Sequence, residues 1–296
     1  MNKQDIEQKV TDSIITALEA GTVPWTKPWN GGNEPRSLST GRTYRGINWL
    51  VLSAVADAKG YTSPVWMTYK QAAAHGGQVR KGEKGTAIVF WKMMDRKDEN
   101  GEDKRVPLLR YYTVFNAEQV DDLELPEGFI PEPTDADEVR TMQSVLDDVT
   151  DVWDATGNSR PTITFRGTRA FYRPADDSIT LPPMDDFADV AGFAGTLLHE
   201  AAHSTGHDDR LHRWDGKSHE FGCADYAEEE LVAEIGAAML AARLGLPMRV
   251  EQNAAYVASW LQRLKDDRSL LISAAQRAQK AADWVCGDVV REPAAV

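Results

Sequence analysis

The chain has 296 residues, a formal net charge of −13 and only two cysteines, Cys223 and Cys286. The cysteines are too few and too far apart for a disulfide framework, and no run of about 18 apolar residues is present to span a bilayer. Because Met1 to Glu7 also lacks the apolar stretch of a secretory signal, we expect a soluble, cytoplasmic protein with no membrane partner.

Three helices are predicted in the first part of the chain. Residues 6–18 have apolar side chains at helical spacing and stop before Gly21. A turn-rich stretch separates them from a second predicted helix over residues 48–59. A third helix is predicted to open at Trp66 and to end at Gly76.

Two strands are predicted after these helices. A basic, glycine-containing turn at residues 79–85 leads into a strand that ends at Trp91, and the partner strand covers residues 108–115. A charged hairpin tip around Asn100 connects them. Helices and strands together predict an α+β front domain with a small antiparallel sheet.

Aromatic residues alternate with lysines and arginines in this part of the chain. Bases can stack on aromatic rings while cations follow the phosphates, so the composition is typical of a single-stranded DNA-binding surface. The candidate stacking rings are Trp25, Trp29, Tyr44, Trp66, Tyr69 and Trp91, and the candidate phosphate contacts are Arg42, Arg45, Lys70, Arg80, Lys81 and Lys84. The alternative is that the rings fill a hydrophobic core and the cations cover a solvated surface.

An acidic segment with three prolines at residues 121–137 predicts a stiff, extended linker, because little in it can pack. The charge changes sign across this segment. Residues 1–120 contain 17 basic against 13 acidic side chains, whereas residues 121–296 contain 16 against 33. We therefore predict a front domain over residues 1–120 and a back domain over residues 138–296, with different partners.

The most informative motif of the back domain is an HExxH sequence formed by His199, Glu200 and His203. On a helix, positions i and i+4 face the same way, so both imidazoles can bind one divalent ion. The preceding residues 191–198 are uncharged and mostly apolar, which indicates a buried helix, and Gly206 predicts its end. The motif predicts zinc-dependent peptide hydrolysis, with Glu200 as the general base.

A third protein ligand is needed, and the sequence leaves several candidates open. A second amphipathic helix over residues 226–239 presents Glu230 and Glu234 beside its apolar stripe, so one could bind the metal while the other contacts a ligand histidine. Glu229 is a close rival on the same helix. Asp209, which completes HExxHxxGxxD, is a local alternative, although its surroundings are typical of an exposed turn.

Several motifs in both halves resemble ArdC-type antirestriction proteins, and they occur in the order found in that family. The front domain carries Pro24–Trp29, Gly41–Asn48, Trp66–Ala72 and Val79–Gly85. The back domain carries Tyr172–Pro182, His199–His207 and Glu229–Glu234. The resemblance covers nearly the whole chain outside the predicted linker and the last few dozen residues.

This resemblance implies a plasmid-encoded protein with a single-stranded-DNA-binding front domain and a zincin-like metallopeptidase domain, which protects incoming DNA from restriction during conjugation. It implies that His199 and His203 bind Zn²⁺, with Mn²⁺ as the alternative, and that Glu200 is the base. The third ligand is then Glu229 or Glu230. By analogy with zincins, residues 178–181 form the sheet edge along which a peptide lies.

Three functional hypotheses follow. The first is an antirestriction protein that binds single strands and hydrolyses peptide bonds in a substrate such as a restriction-system protein, with Arg173 or Tyr226 as candidates to stabilise the oxyanion. The second keeps the same fold without turnover: a protein that shields DNA or blocks a restriction enzyme around a structural metal. The third is a plain cytosolic metalloprotease whose basic loops are only surface.

Overall fold

The computed structural model describes residues 3–21, 23–25, 34–97, 103–126, 129, 140–214, 224–249 and 254–287. In the front part, α1 covers Lys3–Glu19, α2 covers Ile47–Lys59 and α3 covers Tyr69–Ala74. The first two helices confirm the sequence prediction to within three residues at each end. The opening of the third was wrong, because Trp66 lies in a strand and the helix begins only after Thr68.

Thr68 explains that boundary. Its hydroxyl accepts the backbone N–H of Gln71, while the Gln71 side chain accepts the backbone N–H of Thr68, which is a reciprocal capping box. The three residues before it, Val65–Met67, form strand β2 and are fully buried. A buried strand this short has no periodicity that separates it from a helix start.

A four-stranded sheet forms the centre of the front part. Its order is β1, β2, β5, β4, where β1 is Arg36–Ser37, β4 is Thr86–Lys97 and β5 is Asp103–Asn116. β1 pairs with β2 in parallel, and the other neighbours are antiparallel. The predicted hairpin is confirmed as the β4–β5 pair, but both strands are longer than predicted and the tip lies outside the described residues.

The acidic segment after β5 is less independent than predicted. Strand β3, Gln78–Val79, pairs with β6, Val120–Asp121, so the predicted linker begins inside a strand. Leu123, Leu125 and Phe129 then pack against the small apolar cluster that contains Leu38 and Met67. The described part of residues 121–137 therefore packs against the front part, in contrast to the predicted extended linker.

The back part contains five helices and a three-stranded sheet among the described residues. The helices are α4 (Met142–Ala155), α5 (Val190–Ser204), α6 (Ala224–Leu244), α7 (Ala254–Asp266) and α8 (Ser269–Cys286). The strands are β7 (Thr162–Phe165), β8 (Phe171–Arg173) and β9 (Ser178–Leu181). Together with the front part, this architecture confirms the α+β class.

The order of the back sheet is β7, β9, β8, with β9 parallel to β7 and antiparallel to β8. The prediction that residues 178–181 form a sheet edge is therefore wrong, because β9 is paired on both sides and all four of its residues are buried. The edge next to the HExxH helix is β8 instead.

One large hydrophobic core joins the two parts of the chain. It contains Ile14 and Trp25 from the first residues, Trp49 from α2, and the apolar faces of α4, α5, α6 and α8. Polar contacts cross the same junction: the Gly46 N–H donates to the Gln279 side chain at 2.8 Å, and Arg45 pairs with Asp283. No described helix has both the length and the apolar character that a membrane crossing demands.

Candidate metal centre

Helix α5 carries the HExxH motif through the middle of this core. Asp189 caps its first turn by accepting the Gly192 N–H at 2.9 Å, and Phe193, Leu197 and Leu198 are fully buried along it. Gly236 of α6 lies close to α5, because a Cβ at that position would be only 3.1 Å from the Cβ of Ala202. This close contact between α5 and α6 brings the histidines next to the α6 carboxylates.

Three candidate ligands converge at that contact. The Nε2 atoms of His199 and His203 lie 3.0 Å apart, with Glu230 Oε1 at 3.4 Å from His203 Nε2 and Glu230 Oε2 at 3.6 Å from His199 Nε2. One ligand atom from each of the three residues lies within 4.8 Å of the others. The two histidines therefore lie side by side, as helical periodicity predicts. Glu230 is the glutamate that lies next to both of them.

The outer nitrogen of each histidine faces a second carboxylate. His203 Nδ1 lies 3.4 Å from Glu229 Oε1, and His199 Nδ1 lies 3.6 Å from Glu234 Oε1. The hydrogen bond with Glu229 fixes the ring orientation of His203 and raises its basicity, whereas the contact between His199 and Glu234 is longer than a hydrogen bond. Glu229 as third ligand does not fit this geometry, because it faces the side of His203 that points away from the cluster.

Arg213 holds Glu229 in that position. Its guanidinium forms two hydrogen bonds with the carboxylate, at 2.7 and 3.0 Å, and two more with Thr205 Oγ1 and the Ala202 carbonyl, both at 2.8 Å. Although burial opposes ionisation of Glu229, Arg213 and His203 lower the pKa of its carboxyl group to about 2. Glu229 is thus a permanently charged support for His203.

The two histidines have opposite tendencies to take up a proton. Burial and the neighbouring His203 lower the pKa of His199 to about 4. Burial acts the same way on His203, but the hydrogen bonds and charges of Glu229 and Glu230 outweigh it and raise its pKa to about 10. Carboxylates therefore dominate the electrostatics of the cluster, which favours a bound cation.

Glu200 is next to the cluster but outside the ligand set. Its side chain is buried, and burial, together with the negative charge of Glu230, raises its pKa to about 7. The backbone N–H of Tyr172, in the edge strand β8, donates a hydrogen bond to this carboxylate. A carboxyl group with a pKa near neutrality is suited to accept and release a proton.

The turn after α5 is locked by a buried ion pair and does not reach the ligands. Arg210 donates to both oxygens of Asp177, at 2.9 and 2.7 Å, and to the Ser204 carbonyl at 2.9 Å. Gly206 is required beside Trp214, whose Nε1 would lie 2.4 Å from a Cβ at that position. Asp209 is largely exposed and contacts His207, so the local alternative for the third ligand is wrong.

These residues fit a divalent metal. Two imidazole nitrogens and one carboxylate converge, and these are the three protein ligands that catalytic zinc sites use. Tyr226 donates a hydrogen bond to Glu230, so it supports a ligand. Arg173 pairs with Asp176 at 3.1 Å and lies over the Phe171 ring.

Family models match both halves of the chain. Residues 4–115 match the N-terminal domain of anti-restriction factor ArdC, and residues 151–277 match a zincin-like metallopeptidase. Two crystal structures of the antirestriction protein ArdC of plasmid R388 superpose on this structure. The metal-free one has a TM-score of 0.78 and 44% identity, and covers 95% of this chain and 96% of that one. The chain belongs to the ArdC antirestriction family.

The second R388 structure contains Mn(II) and has a TM-score of 0.76 with 43% identity over the same share of both chains. An uncharacterised protein, y4eC, of Sinorhizobium fredii is 36% identical over 95% of this chain and 91% of its own length. A DNA primase TraC of Escherichia coli is 37% identical over 96% of this chain. The chain spans only 27% and 20% of two such TraC proteins.

Membership of the ArdC family does not make every candidate DNA contact available. Trp25 and Trp66 are 2% and 0% exposed and pack in apolar clusters, the first against Trp260 at 5.9 Å between ring centroids and the second against Tyr61 at 6.2 Å. The prediction that these two rings stack on bases is wrong, because neither has a free face. Tyr44 is half-buried against the cluster around Leu52.

Other front-part candidates remain at the surface. Tyr69 is 51% exposed, and Arg42, Lys70, Lys81 and Lys84 are exposed as well. Arg45 and Arg80 are exposed but engaged, Arg45 with Asp283 and Arg80 with Asp121, Glu83 and the Glu118 carbonyl. Trp29 lies outside the described residues, as does the side chain of Trp91.

The sequence interpretation missed two groups of residues. Arg213 follows the HExxH helix without any periodic signal, and only its proximity to Glu229 shows its role. The exposed rings of Phe90, Tyr111 and Tyr112 also went unnoticed. These lie within the predicted hairpin, where alternation of aromatic and basic residues could have identified them.

Proposed function

We propose that the chain is an antirestriction protein that binds single-stranded DNA through residues 1–120, protects incoming DNA during conjugation in the cytoplasm, and hydrolyses peptide bonds at a zinc or manganese centre in its back part. The observation that carries the catalytic part is the placement of Glu200. It is buried beside His199, His203 and Glu230 and is not one of the three convergent ligands.

Each residue then has a defined task. His199, His203 and Glu230 hold the metal, while Glu229 orients the His203 ring and Glu234 lies beside the His199 ring. When bound, a divalent cation polarises a carbonyl group and lowers the pKa of a water. Glu200 accepts the proton of the attacking water at its carboxylate and delivers it to the departing amine.

The edge strand β8 supports a peptide as substrate. Among the described strands β8 pairs with β9 alone, and its Tyr172 N–H points to Glu200, so its other side faces the candidate centre. An extended peptide can add to such an edge through backbone hydrogen bonds, which bind a chain without demanding a particular sequence. A substrate among the restriction-system proteins is consistent with this mode.

The test compares Glu200→Gln with Glu228→Gln. Glu228 lies on α6 and pairs with Arg277, away from the ligands. After loading with Zn²⁺ or Mn²⁺, we expect both variants to keep one equivalent of metal by elemental analysis. Cleavage of a labelled, unfolded casein should fall by about 10²- to 10⁴-fold in Glu200→Gln alone.

The same two variants separate the chemistry from the biological role. In a conjugation assay into a restricting host, loss of protection with Glu200→Gln supports catalysis as the mechanism. Full protection by a variant that cannot cleave would instead support the second candidate, a DNA-shielding protein with a structural metal. That candidate is favoured by one observation: α5 and α6, which carry the cluster, contribute their apolar faces to the core that joins both parts of the chain.

A further inference from the structure

Exposed aromatic rings concentrate on one hairpin. Among the described residues, five large apolar side chains are more than a third exposed, and three of them, Phe90, Tyr111 and Tyr112, lie on the β4–β5 ladder. Phe90 is 46% exposed and Tyr112 is 42% exposed, and their ring centroids are 6.3 Å apart in an edge-to-face arrangement. Clustered apolar exposure of this kind marks a binding surface.

The strand register places a cation beside these two rings. Phe90 is opposite Arg110, and Ile88 is opposite Tyr112. Because directly opposite residues share a face and every second residue returns to it, Phe90, Arg110 and Tyr112 lie on the same face of the hairpin. Arg110 is exposed, and within the described part of the chain no carboxylate pairs with it.

The same alternation extends along the ladder. Two-residue steps lead from 90 to 92, 94 and 96, where the sequence has Lys, Met and Arg, and from 110 to 108, 106 and 104, where it has Leu, Val and Lys. No even-numbered position of β4 or β5 has Asp or Glu. The odd-numbered positions are neutral in sum, since Lys97 and Arg105 are matched by Asp95 and Asp103. A one-sided basic strip is notable in a chain whose net charge is −13.

We propose that this hairpin face, defined by Phe90, Arg110 and Tyr112 and continued by positions 92, 96 and 104, binds single-stranded nucleic acid. Bases stack on the two rings, and phosphates contact Arg110 beside them. The inference rests on the proposed DNA binding of the front part and names where on it the strand lies. From Phe90 to Arg96 the strip extends about 20 Å, enough for several nucleotides.

Two features favour a single strand over other partners. Paired bases hide their faces, so rings that project from a hairpin can stack only on unpaired bases. Protein interfaces are depleted in charged residues at their cores, whereas here the exposed Arg110 lies directly opposite Phe90, and the even-numbered positions of the hairpin contain basic residues and no acid. Exposed rings beside a cation therefore fit single-stranded nucleic acid, which has both charged phosphates and unpaired bases.

The experiment measures binding of a fluorescein-labelled oligothymidine by anisotropy over a range of salt concentrations. The full chain is compared with Phe90→Ala/Tyr112→Ala, with Arg110→Ala and with Tyr111→Ala. Tyr111 is the matched control, because it is 44% exposed on the same strand but on the opposite face. Melting temperatures of all variants verify that these exposed substitutions leave the fold intact.

We expect the double variant to bind about 5- to 150-fold more weakly for each base that stacks. Arg110→Ala should lower the salt dependence, reducing the log–log slope by about 0.7 for the lost phosphate contact. Tyr111→Ala should bind as the unmodified chain does. A duplex of the same length should compete poorly.

The outcomes separate the hairpin site from the proposed DNA binding of the front part as a whole. If the unmodified chain binds the oligonucleotide and the double variant binds equally well, the hairpin face is not the DNA-binding site. Its exposed rings would then indicate a protein-binding surface. If the unmodified chain shows no salt-dependent binding at all, the proposed DNA binding of the front part fails as well. Equal competition by the duplex would overturn stacking on unpaired bases.

Discussion

The candidate metal centre and the proposed hairpin face hold their side chains by opposite physical means. At the metal centre, His203 and Glu230 are less than a tenth exposed, and each contacts several other charged groups. On the hairpin face, Phe90 and Tyr112 are almost half exposed, and their rings lie edge to face. Buried, convergent groups respond to a single change with a large effect, whereas exposed groups contribute in small, salt-dependent increments.

The largest effect is expected when a buried ring in the front part is removed. Trp66→Ala deletes a fully buried indole and should lower the free energy of unfolding by about 3–5 kcal/mol. Tyr69→Ala removes a ring that is 51% exposed only three residues later, and it should cost less than about 1 kcal/mol. Urea denaturation of both variants measures the difference. Equal costs would contradict the division between core and surface aromatics.

A smaller effect is expected one contact away from the metal. Arg213→Met leaves Glu229 without its bidentate partner, so His203 loses its fixed orientation, and metal affinity should fall by about 10- to 100-fold. Arg160→Met is the control, since Arg160 also forms two hydrogen bonds with a carboxylate, that of Asp154, but at the surface. Calorimetric titration with Zn²⁺ measures both. Unchanged affinity in the Arg213 variant would show that Glu229 does not support His203.

The smallest effect concerns acid stability. Burial opposes ionisation of Asp177, but hydrogen bonds from Arg210 and Tyr172 outweigh it and hold the pKa of its carboxyl group below the ordinary value of 3.8. A lowered folded-state pKa stabilises the protein fully above the ordinary value, and the stabilisation is lost as the pH falls through the lowered one. The melting temperature of Asp177→Asn should therefore be lower than that of the unmodified chain near neutral pH. This difference in melting temperature should shrink below a pH of about 4. If the difference in melting temperature did not change with pH, the ion pair could not be its cause.

The sequence predicts the metal centre better than the front surface for a physical reason. Helical periodicity alone places His199 and His203 on one face of α5, but on α6 it leaves Glu229, Glu230 and Glu234 as alternatives. Each further residue turns a helix by about 100°, so Glu229 points elsewhere than Glu230, but only the packed structure shows that it meets Arg213.

The front part offers weaker signals. A strand of three residues that is buried throughout, such as Val65–Met67, has the same apolar character as a helix start, so neither its class nor the burial of Trp66 could be predicted. Lysines at positions 92 and 104 are visible in the sequence, yet the register that aligns them with Phe90 and Arg110 depends on the hairpin connection.

The core that joins the two parts also has a consequence for anyone who dissects this molecule. Trp49, Leu50 and Ile14 are completely or almost completely covered, and they belong to the same packed cluster as Phe193 and Leu197 of the HExxH helix. A back fragment expressed alone from residue 138 would present to water the apolar surface that these three side chains now cover, and such surfaces cause aggregation. Inactivity of that fragment would therefore reflect a disrupted core and would not show that the candidate metal centre lacks activity.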